Sequence, residues 1–247
     1  MPIISAQQGL RDLLQKTPGL AGQKVRVEAR GLQADEAIGS PQRRDFPLLQ
    51  GKERLVQAEV EGARGQAFTA DPLKFSGTLG EVAGMQVQRP GHQAIIIATL
   101  NALAVRLGLA DRSVHCLNEE PEECAHSIAA FIQETYGAVK VGIIGYQPAI
   151  LEHCVQQFGA ERVAITDLNP DNIGSLRYGV EVWDGSRQTG ELIQFAEVIL
   201  ITGTVLVNET FADLEPLLKD KPFYFYGTTA AGLAVLNNFQ RLCFKGC

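Results

Sequence analysis

Apolar residues recur at Ile3, Ala6, Leu10, Leu13 and Leu14. This is the spacing of one helical face, and Thr17-Pro18-Gly19 ends it. Lys24 to Arg30 alternates like an edge or half-buried strand, and a polar stretch rich in turn residues follows from Gly39 to Gly51. Leu55–Glu61 and Gly65–Thr69 read as a hairpin around Gly62-Ala63-Arg64-Gly65. Phe75 to Glu81 reads as a loop entering a helix, with Thr78 and Glu81 spaced as a capping box. His92–Leu107 is apolar nearly all round, which predicts a helix buried on several sides. Pro121–Tyr136 predicts a second long helix, with Pro121, Glu122 and Glu123 in its first turn and Gly137 as terminator.

The pattern changes after Gly137. Short apolar runs at Val139–Ile144, Val163–Thr166, Val180–Trp183, Val198–Thr202, Phe223–Tyr226 and Arg241–Phe244 predict strands. Helical segments alternate with them at Pro148–Phe158, Gly190–Phe195, Glu209–Leu218 and Ala230–Asn238. Such alternation predicts a Rossmann-like parallel sheet with helices on both faces. The earlier part lacks it and reads as a small α+β unit, so two domains are expected, 1–137 and 138–247.

Composition narrows the function classes. The net charge is -6 and no basic stripe is present, so nucleic-acid binding has no electrostatic support. No apolar run is long enough to span a bilayer, and Met1–Gln8 lacks a basic region and an apolar signal core. A cytoplasmic protein without a membrane partner is expected. Cys116, Cys124, Cys154, Cys243 and Cys247 lack scaffold-like spacing, which predicts reduced thiols.

Candidate chemistry sits in four loops at the C-terminal ends of the predicted parallel strands. In a doubly wound sheet such loops converge on the crevice where strand order reverses. The first holds Gly145, Tyr146 and Pro148; the second, Asp167 and Asn169; the third, Thr202 and Thr204; the fourth, Gly227, Thr228 and Thr229. Gly145 suits a tight turn before a helix N-terminus that attracts anions. The run is nevertheless not G-x-G-x-x-G, because Ile143 and Pro148 stand where its first and last glycines belong. Asp167 falls about 20 residues after this loop, where dinucleotide folds place an acid for ribose hydroxyls; a turn-capping role at Asn169-Pro170 competes with that. The threonine loops combine small residues with hydroxyls that hold phosphate or carboxylate, or else cap helices.

The metal reading is weaker. His115-Cys116 and Cys124-x-His126 match no zinc-finger spacing, and positions two apart on a helix diverge by about 200°. These residues read as core or surface. Cys154 shares an apolar face with Ile150, Leu151, Val155 and Phe158 and reads as core, with His153 facing solvent. Cys243 and Cys247 form a terminal pair with at most weak metal affinity. No G-x-S-x-G elbow, Walker A loop or H-E-x-x-H is present, and nothing nominates a catalytic residue.

The runs VKVGIIGYQP, TDLNPDNIG, AEVILITGTVLVNETFADL and KPFYFYGTTAAGLAVL, with AIIIATLNALAVRLG upstream, together resemble the heavy-metal-chelation family, a family of unknown function. The resemblance implies a first domain similar to the N-terminal domain of enolase and a Rossmann-like second domain. Their interface would form the active site, reached by Gly145, Tyr146, Pro148, Thr202, Thr204, Gly227, Thr228 and Thr229, with Asn101 contributed by the first domain's helix. It also implies a heavy metal ion as ligand. Soft metals prefer thiolate and imidazole, whereas these loops offer Thr, Asn, Asp and backbone. That set suits an anionic small molecule, or a hard cation at Asp167 and Asp171.

Three readings follow. The leading one is a small-molecule or metal-complex binding protein with its site between the domains, the far wall around Asn101, Thr78 and Glu81. The alternative is a nucleotide- or S-adenosylmethionine-dependent enzyme using the same cleft. The third is a non-enzymatic scaffold. Homodimerisation fits the general habit of soluble proteins, although no segment specifies it.

Overall fold

A computed structural model describes residues 3–21, 27–51, 53–219 and 221–247. The first helix runs Ala6–Lys16, starting where the Ser5 hydroxyl accepts from Gln8 N. Strand β1 is Val27–Gly31; residues 24–26 of the expected strand lie outside the described residues. It joins β2 (Arg54–Val60), β3 (Ala63–Thr69) and β4 (Phe75–Gly77) in an antiparallel sheet of order β3-β2-β1-β4. β4 occupies what the sequence reads as loop. The β2–β3 turn is tighter than expected, because Glu61 and Gly62 both adopt positive φ and allow a two-residue connection.

The apolar helix Pro90–Arg106 lies across β2 and β3. Contact there is close enough that a Cβ on Gly65 would come within 2.2 Å of Ala102 N, so only glycine fits. The Thr78–Glu81 capping box forms as expected, on the short helix Leu79–Ala83. The polar stretch 39–51 holds one further helical turn, Pro47–Gln50.

The second sheet contains β5 (Val141–Ile144), β6 (Val163–Asp167), β7 (Leu176–Arg177), β8 (Val180–Asp184), β9 (Val198–Thr202), β10 (Phe223–Tyr226) and β11 (Arg241–Leu242). Its order is β11-β10-β9-β5-β6-β8-β7. All pairs are parallel except β7–β8 at the edge. With the parallel strands renumbered by appearance, this order is 3-2-1-4-5-6, the doubly wound arrangement, and it reverses between β5 and β9.

Strand residues alternate between two apolar layers, as the period of two demands. Val141, Ile143, Leu200 and Tyr224 face the layer holding helices Glu120–Tyr136 and Pro148–Phe158. Ile144, Ile199, Ile201 and Phe225 face the layer holding helices Pro90–Arg106 and Gly185–Phe195. Packing therefore crosses Gly137, since helix Glu120–Tyr136 lies against helix Pro148–Phe158. The expected helix Glu209–Leu218 begins at Phe211 and runs to Leu218; a separate helical turn, Thr204–Val207, precedes it, and Glu209 between them takes φ 59°.

Candidate functional site

A cavity of about 500 Å³ opens at the C-terminal ends of β5, β6, β9 and β10. The size suits a small molecule, and the place is the strand-order reversal of the sheet. Its apolar walls include Phe46, Leu48, Phe68, Ile128 and Ile150.

All four predicted loops reach it. From the first come Gly145 and Tyr146, together with Gln147; Pro148 is buried in the first helical turn and does not line the cavity. Gly145 has φ 97°, and a Cβ there would sit 2.5 Å from Thr202 Cγ2. Its carbonyl accepts from Tyr226 Oη at 2.8 Å. Burial holds the Tyr226 phenol far above its ordinary pKa, in its neutral donor form. The anion-binding expectation for this loop fails on its donors. Pro148 has no N–H, and Ile150 N donates to the Gln147 side chain at 2.6 Å.

Asp167 and Asn169 line the cavity from the second loop. Asp167 is also a structural tie: its Oδ2 accepts from Tyr146 N at 2.6 Å and its Oδ1 from Asn169 N at 2.5 Å. One carboxylate thus fixes two loops to each other, and its turn role is the one observed. Thr202 and Thr204 share a 2.6 Å hydrogen bond between their hydroxyls. Gly227, Thr228 and Thr229 complete the rim. Thr229 Oγ1 accepts from Phe68 N at 3.0 Å, joining this loop to β3.

The far wall differs from expectation. Asn101 is fully buried and outside the cavity lining. Its Nδ2 donates to the carbonyls of Gln66, Thr228 and Thr229, and its Oδ1 accepts from Gly232 N at 2.7 Å. It clamps the two sheets together and has no group left for a ligand. Thr78 and Glu81 spend their polar atoms on each other's turn and also lie outside the lining. The wall is formed instead by Glu53, Phe68, Ala70 and His115.

Glu53 is the notable addition. It stands just before β2, faces the cavity, and has no hydrogen bond among the described residues. Burial, and then the negative charge of Asp167, push its carboxyl up to about 7. Some of its surface is still accessible, but that surface opens into a largely apolar recess. His115 Nδ1–H donates to the Ala37 carbonyl at 3.1 Å. Burial pushes it down to about 4, so it is neutral at physiological pH. The charged residues lining the cavity are Glu53, Asp167 and Asp171, with no lysine or arginine among the described residues. That balance disfavours the anionic ligand expected from the loops alone.

Cys116, Cys124 and Cys243 all line the cavity; Cys116 is buried and Cys124 packs against the core, as the core reading expects. The neighbouring Cys243 raises the Cys124 thiol, Cys124 lowers that of Cys243, and burial pushes Cys116 up to about 12. Cys154 is fully buried in the core, as expected. His153 meets Glu122 at 3.2 Å and stacks edge-on against His126, where a solvent-facing position is expected. Among the described residues no group of three or more His, Cys, Asp or Glu is arranged to hold a metal ion. A site built from three or more of these side chains therefore does not fit among the described residues.

The comparisons with known proteins agree with this architecture. Residues 129–240 match the DUF364 family model, whose description is "putative heavy-metal chelation". A crystal structure of a DUF364 protein of unknown function from Pyrococcus horikoshii is similar at TM-score 0.51 and 14% identity, covering 90% of this chain and 80% of that one. Another, from Desulfitobacterium hafniense DCB-2, is similar at TM-score 0.51 and 14% identity, covering 74% of this chain and 71% of that one. At such identity the likeness concerns the fold. No curated protein matches the chain. The matched region 129–240 supplies strands β5 to β10 and all four cavity loops, and over it the chain is similar to the DUF364 family.

Proposed function

We propose that the protein binds a small molecule or metal complex in this cavity, and that the ligand presents a cationic or N–H-donating edge to Glu53. The observation that carries this is an acid with no hydrogen-bond partner among the described residues, on the wall of a largely apolar cavity. A buried polar group left unpaired is costly, and a ligand donor relieves that cost. Asp167 adds negative potential beside it, and the linked Thr202 and Thr204 hydroxyls offer a second polar contact. The apolar walls supply the area for a planar or aliphatic body. In this reading residues 1–137 and 138–247 act as two domains whose junction provides the recess, with helix Glu120–Tyr136 joining them.

This reading assigns the cavity a binding role and names no catalytic residue. The nucleotide alternative is disfavoured by the acidic lining and the occupied helix N-terminus. The test is calorimetry against a panel of amines, N-heterocycles and their nickel, cobalt and zinc complexes. Glu53→Gln should weaken the tightest binder at least about tenfold, ~1.4 kcal/mol. Unchanged affinity in that variant would refute the role of Glu53.

A further inference from the structure

Three thiols that lie far apart in the chain meet on one wall of the cavity. Cys124 is on helix Glu120–Tyr136, Cys116 is in the segment leading to it, and Cys243 follows β11. The meeting is built, not incidental. The C-terminal segment pairs with the segment before Cys116, through Val114 N to Cys247 O at 2.7 Å and Cys247 N to Val114 O at 3.0 Å. Phe244 N donates to Cys124 Sγ at 3.4 Å, which seats the thiol beside the residue following Cys243. Cys124 and Cys243 thus stand beside each other on one cavity wall. The mostly buried Arg241 donates to the carbonyls of Asp111, Arg112 and Gly227, so a guanidinium stands beside this wall.

We infer that Cys124 and Cys243 form a two-thiolate site for one thiophilic closed-shell ion of the Cu(I), Ag(I) or Hg(II) class. The coordination number follows from the donors. A third or fourth ligand in range is absent among the described residues, so zinc, which takes four in structural sites, is poorly served. Two soft thiolates with no further ligand suit ions that accept linear coordination, and thiolate softness selects Cu(I) over hard cations. The binding step balances without redox change. Each thiol releases one proton, two sulfur–metal bonds form, and with a monovalent ion the site gains one negative charge, which Arg241 offsets. Cys116 and Cys243 are buried and Cys124 is half-buried, so the wall is largely shielded from solvent.

This inference stands apart from the Glu53 reading, since it is measured with no small molecule present and either can fail alone. The experiment uses the full chain, reduced with a phosphine and desalted without oxygen, titrated with Cu(I) against a chromophoric Cu(I) chelator. The expected result is one Cu(I) per chain by native mass spectrometry. Affinity should fall at least tenfold in Cys124→Ser and in Cys243→Ser, and little in Cys247→Ser. Zinc should bind far more weakly than Cu(I). Because a serine variant could misfold, wild-type protein is also alkylated with and without Cu(I). Protection confined to Cys124 and Cys243 supports the site. Equal affinity in the double variant Cys124→Ser/Cys243→Ser, or protection of Cys247 alone, overturns it.

Discussion

Glu53→Gln offers a direct test of the cavity's electrostatics through stability alone. The carboxyl lies at about 7 in the folded protein against an ordinary 4.5. Between those values the folded state holds a proton that the unfolded chain has released, so stability falls as pH rises across that window. At 1.36 kcal/mol per unit, the full difference is about 3 kcal/mol above pH 7. The cavity opens to solvent on one side, and screening there reduces the effect to roughly 1–3 kcal/mol. Glutamine keeps the shape and removes the charge. The variant should therefore match wild type below about pH 4.5 and exceed its stability above about pH 7, by ~2–12 °C in Tm at ~2–4 °C per kcal/mol.

The assay is thermal or urea unfolding of both proteins from pH 4 to 9, read as their difference so that other titrating groups cancel. Asp167→Asn supplies a second arm. It removes the charge that is the second cause of the shift, so the window should narrow from its alkaline end, even though the variant also weakens the loop tie. A wild-type-minus-variant difference that stays flat with pH would refute the placement of Glu53 as a desolvated acid in the cavity.

Two further outcomes test the frame around the site. Asn101→Ala strands Gly232 N and removes the donor shared by Gln66, Thr228 and Thr229 carbonyls, so urea unfolding should show a loss of about 2–4 kcal/mol; a loss under 1 kcal/mol would contradict its role as clamp. Arg43 donates to Glu122, Glu152 and Tyr178 and is mostly buried, linking the loop before the Pro47–Gln50 turn to helices Glu120–Tyr136 and Pro148–Phe158 and to the residue following β7. Arg43→Ala should cost about 1–3 kcal/mol by removing the cation shared by Glu122 and Glu152, and Arg43→Lys should recover only a minor part, because an ammonium cannot reproduce the planar fork; full recovery in the lysine variant would show that charge alone matters there.

What the sequence makes legible follows from the range of each interaction. Strands β9 and β10 match their expected bounds because Val198–Thr202 and Phe223–Tyr226 are apolar on both faces and closed by glycine or threonine turns. The four loops are legible for the same reason: a parallel strand followed by a helix fixes where its C-terminal end must face. The roles inside those loops are less legible. Asp167 looks like a ribose acid from its spacing, yet whether its oxygens are free depends on Tyr146 N and Asn169 N, which only the fold brings near. Asn101 is in the right helix but aimed at backbone, because a close-packed hairpin leaves it nothing else to meet.

The far wall carries no local signal at all. Lys52-Glu53-Arg54 reads as a solvated turn, and its acid becomes unusual only when β2 sets it opposite the end of β6. Cys124 and Cys243 share no motif spacing, since the pairing depends on the chain's last segment returning to the one before Cys116. The residues with the strongest chemistry are thus those whose neighbours are most distant in sequence. The family label, heavy-metal chelation, attaches to residues 129–240, yet Glu53, Cys116 and Cys124 come from before that region and Cys243 from after it. A soft ion and a ligand with a donor edge would therefore meet opposite walls of one cavity, and the chain segments supplying each wall are the place to separate the two by mutation.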